Sequence, residues 1–364
     1  MKTLRYALAT LALSASIAVV GCGGDPDSNS AGDEITQEDV VDLGDLIIQD
    51  NDATAAATVI GEPATLLAEG QRQGEKARAD VAAVLGFVRQ LATGGPTRKG
   101  TRADGKAFAF WNKQIVGKSV SLLLLRVEDR RLRYLVVLDN ADGTHTPLMT
   151  GIFVKKGPGT GGGRFHVNLT NVSNAFGAPN ADGEIHFWFA NHTGDKRGRR
   201  IVYRNVVRRD DAEKRVRNYG ADLVRLVNVG GRFRSISIDD FVGTPQGNEA
   251  MGMRMLWKAG VGGRGSAAVV SLGTKQLLGT AHECWDANGL RSAYKDDDPS
   301  NGMTDPDEGE VTMCAGFADE PPPDTGNVSE NGMDADPELD ALLQESGAMD
   351  ISESDANMVD NAGI

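Results

Sequence analysis

Between residues 66 and 92 the apolar side chains Ala77, Val81, Val84, Leu85, Val88 and Leu91 recur at steps of three and four. That spacing lines them along one face of an α-helix. Arg72, Glu75, Lys76, Arg78, Asp80 and Arg89 fill the opposite face, and Gly94-Gly95-Pro96 is a stop signal. The pattern predicts an amphipathic helix over about 66–92. A shorter cluster of Val40, Val41, Leu43, Leu46, Ile47 and Ile48 reads as a second helix or as linker.

From about residue 106 to 278 the period changes to two. Phe165, Val167 and Leu169 alternate with Arg164, His166 and Asn168. Ile185, Phe187 and Phe189 alternate with Glu184, His186 and Trp188, and Met251, Met253, Met255 and Trp257 with Gly252, Arg254 and Lys258. Successive strand side chains point to opposite faces, so each strand has one buried and one wetter face. Turn signals punctuate the run at 139–143 and 180–183, and glycine-rich loops lie at 157–163 and 259–265. The expected fold is mainly β: an antiparallel β-sandwich or barrel of about 8–10 strands after the helix.

Before the helix the chain opens on Lys2 and Arg5, followed by an apolar stretch from position 6 to 20. A bilayer crossing takes about 20 apolar residues, so this stretch has the build of a secretory leader instead. It ends in Val19-Val20-Gly21-Cys22, which resembles the lipobox of bacterial lipoproteins. The resemblance covers only the first two dozen residues. It implies removal of residues 1–21, acylation of Cys22 and a membrane anchor with several acyl chains. Gly23 stands where an Asp would favour inner-membrane retention, so the resemblance points to the outer membrane. Residues 22–36 are polar and turn-forming, a flexible tether. The expected organisation is thus leader 1–21, tether 22–36, helical segment 37–100, β-rich domain 101–317 and tail 318–364.

Export changes the reading of the cysteines. Cys284 and Cys314 remain after Cys22 is set aside, and in an oxidising compartment such a pair is expected to form a disulfide.

Charge is divided unevenly along the chain. Residues 295–364 hold 20 acidic residues against Lys295 alone, with few large apolar groups. Such a segment cannot bury enough surface to offset its ordering entropy, so disorder is expected after about residue 318, with a short helix at 337–345. Residues 196–217 instead hold ten Lys and Arg against three acids. Lys196, Arg197, Arg199, Arg200, Arg204, Arg208 and Arg209 are the candidate polyanion-binding residues, and the chain's own acidic tail is the nearest polyanion. Few aromatic side chains accompany them, which disfavours nucleic-acid recognition.

No catalytic constellation stands out. His282-Glu283-Cys284 lacks the second histidine of a zincin motif. The two G-x-G-x-x-G matches, at 157–162 and 260–265, lie between strand-like runs and read as hairpin loops, not as phosphate cradles. Asp297, Asn301, Asp305 and Glu308 flank a glycine at calcium-loop spacing, although Pro299 occupies one ligand position; calcium is the one cofactor the sequence suggests. No G-x-S-x-G is present. The function expected is a membrane-anchored binding or structural module of the cell envelope, with anionic polysaccharide or an envelope protein as partner. The alternatives are a periplasmic or surface hydrolase with a dispersed site, and an accessory subunit of an envelope assembly.

Overall fold

The computed structural model describes Ile35 and residues 64–297, apart from 129–130, 158–159, 193–195, 213–215, 227–228, 240–248 and 275. The leader, Cys22, the tether, the 40–48 cluster, Asn301, Asp305, Glu308, Cys314 and the acidic tail with its 337–345 helix lie outside the described residues.

Helix α1 spans Thr65–Ala92, as its apolar stripe predicts. Fourteen strands follow: β1 (Arg98–Thr101), β2 (Ala107–Ile115), β3 (Lys118–Glu128), β4 (Arg131–Asp139), β5 (His145–Gly157), β6 (Thr160–Asn168), β7 (Ala181–Asn191), β8 (Lys196–Arg208), β9 (Val216–Leu226), β10 (Gly230–Asp239), β11 (Glu249–Lys258), β12 (Gly262–Ser271), β13 (Leu277–Asp286) and β14 (Arg291–Asp297). A second helix, α2 (Leu169–Phe176), interrupts the run between β6 and β7.

All fourteen strands form one antiparallel sheet in strict sequence order. Among the described residues β1 pairs only with β2, and β14 only with β13. The sheet is therefore open, and the expectation of a sandwich or barrel with about 8–10 strands is corrected. Two physical features hid the true count. Leu122, Leu123, Leu124 and Leu125 in β3 form an unbroken apolar run, with Leu122 and Leu125 both buried although they occupy opposite faces. The β2–β3 turn is only Val116-Gly117, both at positive φ (51° and 71°). That is the geometry of a two-residue hairpin turn, with a β-branched residue where Asn or Asp is usual.

The inner face is built from lateral rows of side chains. One row runs Trp111, Leu122, Val136, Met149, Val167, Ile185, Tyr203 and Tyr219 across β2 to β9. The row beside it contains Gly151 between Tyr134 and Phe165; a Cβ there would lie 2.2 Å from the Tyr134 ring, so only glycine leaves room for the tyrosine.

Helix α1 lies across these strands and meets them in reverse order. Leu66 packs where Gly265 of β12 and Trp285 of β13 come together, and Gly70 abuts Met255 of β11. Tyr219 of β9 donates to Gln73, and Tyr203 of β8 donates to the buried carboxylate of Asp80. Val84 and Phe87 line a cavity together with residues of β5, β6 and β7, and Trp111 of β2 donates to the Gly94 carbonyl at 3.1 Å. A helix of 28 residues reaches roughly 42 Å. The strand spacings from β2 to β13 come to roughly 53 Å. The sheet must therefore curl around the helix to touch both of its ends. Burial of the α1 stripe, with Leu85, Val88 and Leu91 fully covered, holds this curvature.

Both helix ends are held from the sheet. Ala64 offers no side-chain cap. Glu283 of β13, fully buried, accepts instead from the Thr65 amide at 2.7 Å and the Leu66 amide at 2.6 Å. Arg291 of β14 balances its charge at 2.9 Å and also donates to Thr65 Oγ1. At the other end Lys113 Nζ donates to the Gln90 and Thr93 carbonyls. A carboxylate thus meets the positive helix end and an ammonium the negative one.

Candidate functional site

With the inner face filled by α1, the outer face is the broad surface left to function. Strand register places Arg133 (β4), Arg164 (β6), Arg200 (β8), Arg234 (β10) and Arg254 (β11) in one lateral row. Ile152 and Trp188 stand between the first three, Asp222 of β9 holds the position between Arg200 and Arg234, and Ser266, His282 and Lys295 continue the row to β14. The neighbouring row carries Arg131, Arg232 and Arg264. These arginines are all partly or fully buried. They come from six strands and concentrate positive charge on one surface.

A second cluster lies on the same face. His166 of β6 and His186 of β7 are direct cross-strand partners, with rings stacked at 4.6 Å. Glu184, two residues before His186, shares their face. Its Oε2 lies 3.0 Å from His186 Nε2 and 3.4 Å from His166 Nε2. Trp188 stacks on His186 at 5.7 Å, and the Arg164 guanidinium covers Trp188 at 5.2 Å. Burial pushes the His186 pKa down to about 4, helped by the charges of His166, Arg204 and Arg164, so its imidazole is neutral at pH 7. Burial raises the Glu184 pKa, but its contacts with His186 and His166 outweigh this and leave it lowered. This group of His166, Glu184 and His186 is the set of described residues able to hold a metal ion.

A third polar group gathers on Asp139. Its Oδ2 accepts from Asn112 at 2.8 Å, Ser119 at 3.0 Å and Ser121 at 2.7 Å, while Oδ1 meets His145 Nδ1 at 2.8 Å. The residue types are those of a hydrolytic triad, but the order is not. Both serine hydroxyls donate to the carboxylate directly, so the imidazole does not stand between base and nucleophile.

No family model matches this sequence, no curated protein matches it, and no solved structure matches its fold.

The strand geometry redistributes the basic run read from sequence. Arg200 and Arg204 face outward in the middle of β8, and Lys196 opens the strand. Arg197 and Arg199 fall on the other side. Arg199 is buried, donates to the Ala190 and Gly198 carbonyls at 3.0 and 2.7 Å, and lies against the Phe189 ring. Burial and Arg197 lower its pKa to about 9, which leaves it charged at neutral pH. Arg208 pairs with Asp210, and Arg209 with Asp182 and Asn174. The basic face is thus assembled across strands, not along one segment. Both G-x-G-x-x-G stretches lie at antiparallel hairpins, β5–β6 and β11–β12. Of the calcium candidates only Asp297 is described, at the end of β14. Cys284 is buried on the outer face beside Ala293, while its expected partner lies outside the described residues.

Sequence reasoning missed α2 and the His166–Glu184–His186 group. Asn168 ends β6 and caps α2 through Oδ1, which accepts from Asn171 N at 2.8 Å; Gly177 closes the helix at φ 71°. The signal was present as Leu169, Val172 and Phe176 at helical spacing. Those residues, with Ala83, Val84 and Phe87 of α1 and Leu148, Met149, Val167 and Ile185, line a cavity of about 30 Å³. It is apolar throughout and large enough for little more than a water-sized group.

Proposed function

We propose that this chain is a lipid-anchored binding module of the cell envelope whose arginine-bearing outer face takes a polyanion, such as an acidic polysaccharide or the acidic surface of an envelope protein. The observation that carries the reading is the lateral register of Arg133, Arg164, Arg200, Arg234 and Arg254. Positive charges repeated across the strands suit a chain-like anion lying across them, and their field speeds its capture. The leader and its Val19-Val20-Gly21-Cys22 ending support acylation at Cys22 and an outer-membrane address. An exported chain in turn supports a Cys284–Cys314 disulfide. The acidic tail is the intramolecular competitor for the same face, and salt weakens that pairing.

Retention on heparin-agarose tests the reading. The double variant Arg234→Gln/Arg254→Gln is expected to elute at clearly lower salt than the wild type. Deletion of 318–364 is expected to raise the elution salt. Co-elution of the arginine variant with the wild type would remove the outer face as the binding surface. Mass spectrometry of the mature amino terminus checks the anchor, through a diacylated Cys22 as first residue.

A further inference from the structure

We infer that His166, Glu184 and His186 form a site for a zinc-class divalent metal ion, distinct from the polyanion surface in the groups it uses. The three donors come from two neighbouring strands and need no loop to bring them together. His166 and His186 are register partners, and Glu184 sits one step along the same face of β7. All their ligand atoms lie within 4.8 Å of one another. Around a tetrahedral zinc with bonds of about 2.0–2.1 Å, donor atoms stand roughly 3.3 Å apart. The two contacts of Glu184 Oε2, 3.0 Å to His186 Nε2 and 3.4 Å to His166 Nε2, bracket that separation. The small inward movement needed is within side-chain freedom, because Glu184 and His166 are only partly buried.

The chemistry of the donors selects the ion. Two imidazoles and one carboxylate suit zinc, cobalt or nickel over calcium or magnesium, which prefer oxygen ligands throughout. His186 is buried at 4 % side-chain exposure and stacked between His166 and Trp188, so its ring is fixed before any ion arrives. The partial exposure of His166 and Glu184 keeps an entry path and one coordination position open to solvent. Arg204 is the register partner of Glu184, and Arg164 stands two residues before His166 on the same face of β6. These cations oppose a bare divalent charge and favour an anionic group, hydroxide or carboxylate, in the open position.

The test uses the full mature chain, stripped with chelator and titrated with zinc in a calorimeter, and with cobalt by visible absorption. The expected result is one saturable equivalent and the intense visible bands of four-coordinate cobalt. His166→Asn and Glu184→Gln should each weaken zinc binding at least tenfold, a conservative threshold for losing a ligand when outer-shell changes alone cost 10–100-fold. Calcium at the same concentration should displace neither ion. Zinc should raise the unfolding midpoint of the wild type but not of His166→Asn; Glu184→Gln, altered at the most exposed donor, repeats this comparison in a second background. Absence of a saturable equivalent, or equal affinity in the wild type and both variants, overturns the assignment. The second outcome would place the ion on the acidic tail. Loss of heparin retention in Arg234→Gln/Arg254→Gln with zinc binding intact would show the two surfaces to be separate.

Discussion

Glu283 Oε2 accepts from the Leu66 backbone amide at 2.6 Å across 217 residues of chain. The helix start is therefore completed by the penultimate strand of the sheet. Because Glu283 is fully buried, its charge depends on those two amides and on Arg291.

Glu283→Gln should consequently destabilise the chain by about 3 kcal/mol, the scale for removing one partner of a buried ion pair. Glu283→Gln/Arg291→Gln should cost less than the sum of the two single changes, since neither charge is then stranded. Urea unfolding followed by circular dichroism measures both. A loss under about 0.5 kcal/mol would mean the helix end is satisfied some other way.

Glycines at two places should respond oppositely to alanine. A Cβ at Gly263 would lie 2.3 Å from the Trp285 ring, whereas one at Gly74, inside α1, meets nothing within 4 Å. Gly263→Ala is expected to lower stability by about 1–3 kcal/mol through overpacking. Gly74→Ala should raise it by about 0.5–1 kcal/mol, through the lower entropy of the unfolded chain and better helix propensity. Thermal midpoints of the two variants should move in opposite directions.

Val116 is 73 % exposed and held at φ 51° in the β2–β3 turn. Left-handed backbone costs an L-residue roughly 1–2 kcal/mol, and Asn tolerates it better. Val116→Asn should therefore stabilise the protein by about 1 kcal/mol in urea titration, with the β2–β3 pairing unchanged.

Alkaline titration offers a fourth test. Burial pushes the pKa values of Tyr134, Tyr203 and Tyr219 above the usual phenol value, and for Tyr203 the Asp80 carboxylate adds to this. Below pH 10 these phenols are protonated in both folded and unfolded chains, so their contribution to stability is whole. Above pH 10 the unfolded chain releases protons that the folded one retains, and stability falls. Absorbance at the tyrosinate band should rise in step with loss of the far-ultraviolet signal. Full ionisation of all tyrosines with the fold intact would contradict their burial.

The parts of the structure visible in sequence were those carried by a single segment. The α1 stripe from Val81 to Leu91 is periodic within itself, so its helix could be read almost to the residue. The arginine row could not, because Arg164, Arg200 and Arg234 are neighbours only through strand pairing. The basic run at 196–217 is divided between the two faces for the same reason. Alternation along β8 sends Arg200 outward and turns Arg199 into the core. His166 and His186 were both visible as wet-face positions, but α2 between their strands concealed that they meet.

The order of the strands has a consequence for how this protein comes apart. Each strand bonds to its neighbours in sequence, so the sheet resembles a linear array in which any hairpin can form or melt without the others. Helix α1 alone reaches from β13 to β2 among the described elements. All-or-none unfolding therefore resides in that one helix: with its stripe disrupted, the two flanks of the sheet should melt as separate units, and a single sharp transition should become a broad one.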